Sequence, residues 1–313
     1  METRKFYRLL LLAMVSICGV IFVCYSALGI PTGNEVVLNK LSNDHANGVE
    51  EMTYRELTID NSSRREYKWP DDPLCSKHAV TFGKNIDAAW LLSYPRSGNT
   101  WSRYLIESST GIYTGTIYKS QSIKRLGRIG TADRIEGINT IVVKTHSEKD
   151  LQGSHSKTII IMRNPARSII SYWNYKSNRG STLYWTKSVP NSSYTSEGFH
   201  QFVREQLKVW RATYIYPLKY MKHLHVVFYE MIRENPLREI RGILQFLQLR
   251  PDEDRLQCLS RHLEGFFMGS QRKVEPYTDK EKEAFARTIE EISGLLRSRG
   301  FPPLPDYQIY GLV

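Results

Sequence analysis

The sequence predicts an α/β domain: a central, mostly parallel sheet flanked by helices in a three-layer, P-loop-like arrangement. Three observations lead to it. Four short runs are apolar almost throughout, as strands buried on both faces are. Helical patterns with legible caps alternate with those runs, as the crossovers of a parallel sheet require. The turn after the first run, "YPRSGNT", joins a basic side chain to a glycine just before a helix, the form of an anion-binding loop. The length of 313 residues and a hydrophobic content of 41% suit one large domain with appendages.

Residues 1–8 form a short tail, and residues 9–30 read "LLLLAMVSICGVIFVCYSALGI" without a charge. At about 1.5 Å per residue this run is long enough for a hydrocarbon core of about 30 Å. Arg4, Lys5 and Arg8 precede it and favour a cytoplasmic N-terminus, hence a single-pass type II signal-anchor. A cleaved signal peptide ending near Ala27-Leu28-Gly29 is the alternative, and both place the remainder outside the cytosol. Residues 31–73 are polar with few periodic apolar positions and read as a stem, leaving 74–313 as the folded domain. In that setting the sequons at Asn61 and Asn191 are candidate glycosylation sites. Cys75 and Cys258, which lie outside the apolar run, form either one disulfide or two buried thiols. No Cys/His cluster has zinc spacing, so no metal is expected.

Within the domain the strands are "AAWLLSY" (88–94), "TIVVKTH" (140–146), "KTIIIMR" (157–163) and "HVVFYE" (225–230). The helices are 100–111, stopped by Gly111, and one beginning at Pro165. Another follows Asn235 as N-cap with Pro236 at its first position, and a charged amphipathic helix over 279–300 ends at Gly300. Ligands of such sheets bind at the carboxyl ends of the strands. That rule gathers Arg96, Ser97, Gly98, Asn99, Thr100 and Trp101 of the loop, Lys144 and His146, Arg163 with Ser171 beyond it, and Tyr229. Gly98 lets a ligand approach the backbone, the N–H groups of the next helix face an anion, Arg96 adds a fixed cation and Trp101 a flat face for a purine. His146, beside Lys144, is a candidate base, with Glu148 as the alternative. The net charge of +11 suits an anionic partner. "PRSGNTW" lacks the Lys-Ser/Thr ending of a nucleotide-hydrolase loop, which sets magnesium-dependent phosphoryl transfer aside.

Together these segments resemble the sulfotransferase superfamily. "YPRSGNTW" is similar to its 5′-phosphosulfate loop, "KTH" to the segment with the catalytic histidine, and "RNPARSIIS" to its 3′-phosphate motif. "FYEMIRENPLREIRGILQFL" resembles the unit whose tyrosine helps bind adenosine, and "RKVEPYTDKEKEAF" the late element that clamps the 3′-phosphate through Arg272 and Lys273. Arg96 stands in place of the usual loop lysine, Asn99 in place of a threonine, and Val274 in place of a late glycine. The first motif is most similar to the sulfotransferase region of the WSC-domain-containing, membrane-anchored group associated with sulfating sialic acid, although no Cys-rich WSC module is present here.

The resemblance implies transfer of a sulfuryl group from 3′-phosphoadenosine 5′-phosphosulfate (PAPS) to a hydroxyl of a glycan or glycoprotein, with His146, Arg96 and Lys144 catalytic. It implies a Golgi membrane address with the domain in the lumen, and no role for nucleic acid. An inactive acidic-glycan-binding protein and a protein-tyrosine sulfotransferase remain the alternatives.

Overall fold

The computed structural model describes residues 53–118, 139–153, 155–178, 187–264 and 274–307. The apolar run 9–30, Arg272 and Lys273 lie outside the described residues. Among those described, no helix is long and apolar enough to cross a membrane. A short antiparallel ribbon, β1 (Glu66–Tyr67) with β2 (Ala79–Val80), precedes the main sheet. That sheet holds β3 (Ala89–Ser93), β4 (Gly115–Thr116), β5 (Val142–Thr145), β6 (Thr158–Met162) and β7 (Leu224–Phe228). Its order is β4-β5-β3-β6-β7, and every pairing is parallel.

Seven α-helices lie among the described residues: α1 (Asn99–Thr110), α2 (Pro165–Ser177), α3 (Glu197–Tyr220), α4 (Tyr229–Glu234), α5 (Pro236–Phe246), α6 (Glu253–Arg261) and α7 (Asp279–Ser298). Their starts follow from their caps. Asn164 accepts from the Arg167 N–H ahead of Pro165, and Asn235 accepts from the Arg238 N–H ahead of Pro236. Thr278 and Glu281 close a capping box on α7, a reciprocal pair that satisfies two orphan donors.

Adjacent residues of a strand answer to different cores, because side chains alternate across the sheet. Leu91, Ile159, Ile161 and Val227 pack with α1, α5 and α6 through Leu105, Ile106, Ile243 and Leu259. Leu92, Ile160, Met162 and Phe228 pack with α2, α3 and α7 through Ile169, Trp210, Tyr214 and Phe285. Each fully buried Leu, Ile or Phe side chain contributes about 1.5–3 kcal/mol. This two-sided burial is why the strands read as continuous apolar runs.

Two features differ from the sequence reading. The compact unit that carries the sheet begins at Tyr54, so residues 54–73 belong to the domain rather than to a stem. They are anchored by Trp69, whose buried indole N–H donates to Tyr104 Oη at 3.0 Å, and by Lys68, which bonds Glu66 and Glu107. The fourth strand stops at Phe228, and Tyr229 opens α4 instead of ending the strand.

Candidate active site

β3 sits between β5 and β6, so the chain after β5 crosses to the far side of β3. That reversal opens a crevice at the carboxyl ends of the strands. The loop 94–98 lies there. Its start is fixed from behind: the Tyr94 N–H donates to Tyr214 Oη at 3.1 Å, and Tyr94 Oη donates to Gln206 Oε1 at 2.9 Å. The backbone then turns left-handed twice, at Arg96 (φ 66°) and Gly98 (φ 87°). For an arginine this costs about 1–2 kcal/mol and is retained where surrounding contacts over-determine it. The contacts here are reciprocal. The Arg96 carbonyl accepts Nη1 of Arg163 at 2.7 Å, and Arg96 Nε donates to Ser171 Oγ at 3.1 Å.

Gly98 is the N-cap of α1 and offers no capping side chain, so the helix begins without a side-chain cap. A Cβ at Gly98 would clash with the edge of the Tyr229 ring, 2.7 Å from Cε2 and closer still to Cδ2. Ser97 Oγ is buried without a partner among the described residues. An uncapped helix start, a glycine pressed on an aromatic ring and an unpaired buried hydroxyl together make a cradle that fits a phosphate or sulfate group.

The other loop residues are placed as follows. Asn99 is buried and turns its amide to Ser93 Oγ at 3.1 Å. Thr100 is half-buried in the first turn of α1. Trp101 is buried edge-on to Tyr229, and its indole N–H donates to the Leu263 carbonyl at 2.7 Å, so little of its face is open. Arg163, only 6% exposed, lays its guanidinium over the Tyr229 ring at 4.4 Å. Arg163, Ser171, Tyr229 and Arg96 thus meet in one place.

His146 and Lys144 stand across the crevice at the end of β5. His146 Nδ1 lies 2.7 Å from the Ser93 carbonyl oxygen. A carbonyl only accepts, so Nδ1 carries the proton and Nε2 presents its lone pair. Burial first, then the adjacent Lys144, pushes the His146 imidazolium down to about 3, so the ring is neutral. Burial, then the Arg103 and Arg96 guanidiniums, lowers the Lys144 ammonium to about 7. Glu148 lies in a 3-10 turn over Glu148–Leu151, half-buried.

Three residues of this site escaped the sequence reading. Ser93 holds both His146 and Asn99. The ring of Tyr118 stacks on His146 at 5.6 Å, its hydroxyl accepts the backbone N–H of His146 at 2.9 Å, and Lys144 Nζ stands over the Tyr118 ring at 6.0 Å. Arg103 is wholly buried, and its charge acts on Lys144. The carboxyl-end rule would have found Tyr118 had β4 been recognised, but two residues with a glycine leave no apolar run.

Away from the crevice, Asp72, Cys75 and His262 bring potential ligand atoms within 4.8 Å of one another. The sulfur of Cys75 is bonded to Cys258, however, which removes it from metal ligation. This also decides between the two cysteine readings: the pair is a disulfide.

The family described as "Sulfotransferase domain" matches residues 87–293. A WSCD family member of Drosophila melanogaster is 31% identical over 210 residues, which cover 66% of this chain and 65% of that protein. A WSCD family member of Drosophila pseudoobscura pseudoobscura is 33% identical over 193 residues, 60% of each. The chain therefore spans just under two thirds of the length of these two relatives. Sulfotransferase 1A1 of Rattus norvegicus is 24% identical over 247 residues, covering 70% of this chain and 73% of that one. Among solved structures, mouse sulfotransferase SULT7A1 complexed with PAP is similar with a TM-score of 0.45 and 17% identity, covering 68% of this chain and 88% of that one. The family match takes in more than half of the chain, from just before β3 into α7, and the protein belongs to the sulfotransferase-domain family.

Proposed function

We propose that the protein is a sulfotransferase that moves a sulfuryl group from PAPS to a hydroxyl of a glycan, with sialic acid as the candidate acceptor. One observation carries the reading. A neutral histidine with its proton fixed on Nδ1 faces an uncapped, arginine-bearing anion loop across one crevice. Nε2 of His146 takes the proton of the acceptor hydroxyl. The donor supplies the sulfuryl group and leaves as adenosine 3′,5′-bisphosphate (PAP). Arg96 and the N–H groups that open α1 hold the 5′-phosphosulfate, where negative charge grows as the bond to sulfur breaks. Lys144 steadies the sulfuryl oxygens. Arg163 and Ser171 grip the 3′-phosphate, and Tyr229 with Trp101 borders the adenosine. The likeness of the late motif adds Arg272 and Lys273 to the residues proposed for the same phosphate.

A glycan acceptor is supported by the net charge of +11, which favours acidic partners, and by the WSCD likeness. A lumenal domain on a single N-terminal anchor in the Golgi membrane is supported by the apolar run 9–30 and by the Cys75–Cys258 disulfide, a bond kept in oxidising compartments. In that compartment Asn61 and Asn191, both exposed, are open to glycosylation.

The test is transfer of labelled sulfur from PAPS to a mixed glycoprotein pool by the full chain in detergent, with and without sialidase pretreatment. Label lost on sialidase treatment and absent with Arg96→Ala is the expected result. Label resisting glycosidases and recovered on tyrosine would replace the glycan acceptor with protein. Binding of acidic glycans without any affinity for PAP would overturn the enzymatic reading.

A further inference from the structure

β6 and β7 pair in register up to Met162 opposite Phe228, where both strands end. The register carries on past the sheet edge as side-chain contacts. The next residues, Arg163 and Tyr229, meet guanidinium on ring at 4.4 Å. The next again, Asn164 and Glu230, are joined by the Asn164 backbone N–H, which donates to Glu230 Oε1 at 3.1 Å. Trp210 of α3 donates its indole N–H to the Arg163 carbonyl at 3.2 Å. That carbonyl and the Asn164 N–H belong to one peptide unit. Glu230 and Trp210 therefore hold both polar ends of the link that follows Arg163, and a planar unit caught at both ends resists rotation about its flanking bonds. Asn164, Glu230 and Trp210 are all buried. Glu230 is only half satisfied, because its Oε2 is buried with no partner among the described residues. Burial raises its carboxyl above the ordinary value, against the opposing pull of the Asn164 N–H and the Arg163 charge. A half-satisfied buried acid is a poor device for stability alone.

We propose that Glu230 and Trp210 are positioning residues that aim Arg163, and so set the preference of the crevice for a nucleotide bearing a 3′-phosphate. The inference rests on the PAPS reading of the crevice. A guanidinium grips a phosphate through N–H groups of fixed direction, and such bonds weaken steeply with misalignment. A tilt of the peptide after Arg163 is therefore felt chiefly at the 3′-phosphate, while the 5′ end rests on the loop 94–98 and the start of α1. Neither Glu230 nor Trp210 needs to reach the nucleotide for this. Both act through the backbone of the residue that does.

The test is calorimetric titration of the full chain in detergent with PAP and, separately, with adenosine 5′-phosphate. Glu230→Leu removes the acceptor and should lower PAP affinity about tenfold, with adenosine 5′-phosphate within about twofold of wild type. Glu230→Gln keeps an acceptor oxygen for the Asn164 N–H and should hold PAP affinity within about threefold of wild type. On an Arg163→Ala background, Glu230→Leu should cost PAP binding nothing further, because the residue it acts through is gone. Trp210→Phe keeps an aromatic ring in the core and loses only the donor. It should show the same pattern, and it reads the proposal where Glu230→Leu fails to fold. Equal losses for both nucleotides, or a loss that persists without Arg163, would make these residues generic supports and overturn the inference. Glu230→Gln as damaging as Glu230→Leu would overturn the hydrogen-bonded positioning of Arg163. A folded Trp210→Phe with unchanged PAP affinity would remove Trp210 from the role. No PAP binding by the wild type would overturn the nucleotide reading, and this proposal with it.

Discussion

Replacing Gly98 by alanine tests the anion loop at its tightest point. Two separate costs arise. The first is backbone: an alanine at φ 87° occupies a left-handed conformation that costs about 1–2 kcal/mol. The second is steric. The new methyl would lie 2.7 Å from Tyr229 Cε2, against a relaxed carbon contact of about 3.5–4.0 Å, so the ring must retreat by about 1 Å. Overpacking of this kind costs about 1–3 kcal/mol. The expected loss of stability is therefore about 2–5 kcal/mol, the sum of the two. Tyr229 also carries the Arg163 guanidinium on its face at 4.4 Å, so its retreat would disturb the side chain proposed to grip the 3′-phosphate and should lower PAP affinity at least tenfold. Denaturant unfolding measures the first quantity and calorimetric titration the second. A Gly98→Ala variant on a Tyr229→Ala background separates the terms, because only the backbone cost survives there. Gly98→Ala with wild-type stability and PAP affinity within twofold of wild type would refute the argument that this position holds a cradle.

Further outcomes follow from the same geometry. His146→Ala should abolish sulfuryl transfer with PAP affinity within about threefold of wild type; retained turnover would pass the base role to Glu148. Arg163→Ala should lower affinity for PAP towards that for adenosine 5′-phosphate, leaving the latter nearly unchanged; an equal loss for both would move the second phosphate elsewhere. Cys75→Ser opens a bridge between residues 183 positions apart and should cost about 2–5 kcal/mol, read as a lower Tm than the oxidised wild type. Because His146 is held neutral down to about 3, the unfolded chain takes up a proton below about 6.5 that the folded one refuses. This share of stability is present above that value and lost as pH falls towards 3. For the same reason His146 should impose no acid limb on kcat/KM of the free enzyme between pH 5 and 7; a limb near 6.5 that vanishes in His146→Gln would contradict the burial argument.

What was legible in the sequence is what local pattern controls. β3 and β6 read as nearly continuous apolar runs because both faces are covered, and Gly98, Gly111, Pro165 and Asn235 mark helix ends by their own stereochemistry. Arg96, Lys144, His146 and Arg163 were found because each sits at the end of such a run. The misses are long-range. Arg103 looks like an ordinary exposed helix residue until Thr114, just ahead of β4, is folded against it. Residues 54–73 look like a polar stem because what binds them is not local. A single tryptophan, a lysine between two acids and a disulfide to α6 hold the segment down. α3 was passed over although Phe199, Phe202, Val203, Leu207, Trp210 and Tyr214 mark one helical face.

The crossed contacts between Arg96 and Arg163 make the crevice a gauge. Arg163 holds the backbone carbonyl of Arg96, while the Arg96 side chain holds Ser171, which lies within α2, the helix that follows Arg163. The two proposed phosphate seats are therefore tied to each other by protein contacts, and on this reading their spacing is set by the scaffold rather than by the ligand. A molecule with one phosphate satisfies half of the gauge; a molecule with two at the wrong interval satisfies neither half well. Selection for a new acceptor can then rework the surrounding loops while the donor's dimensions stay fixed.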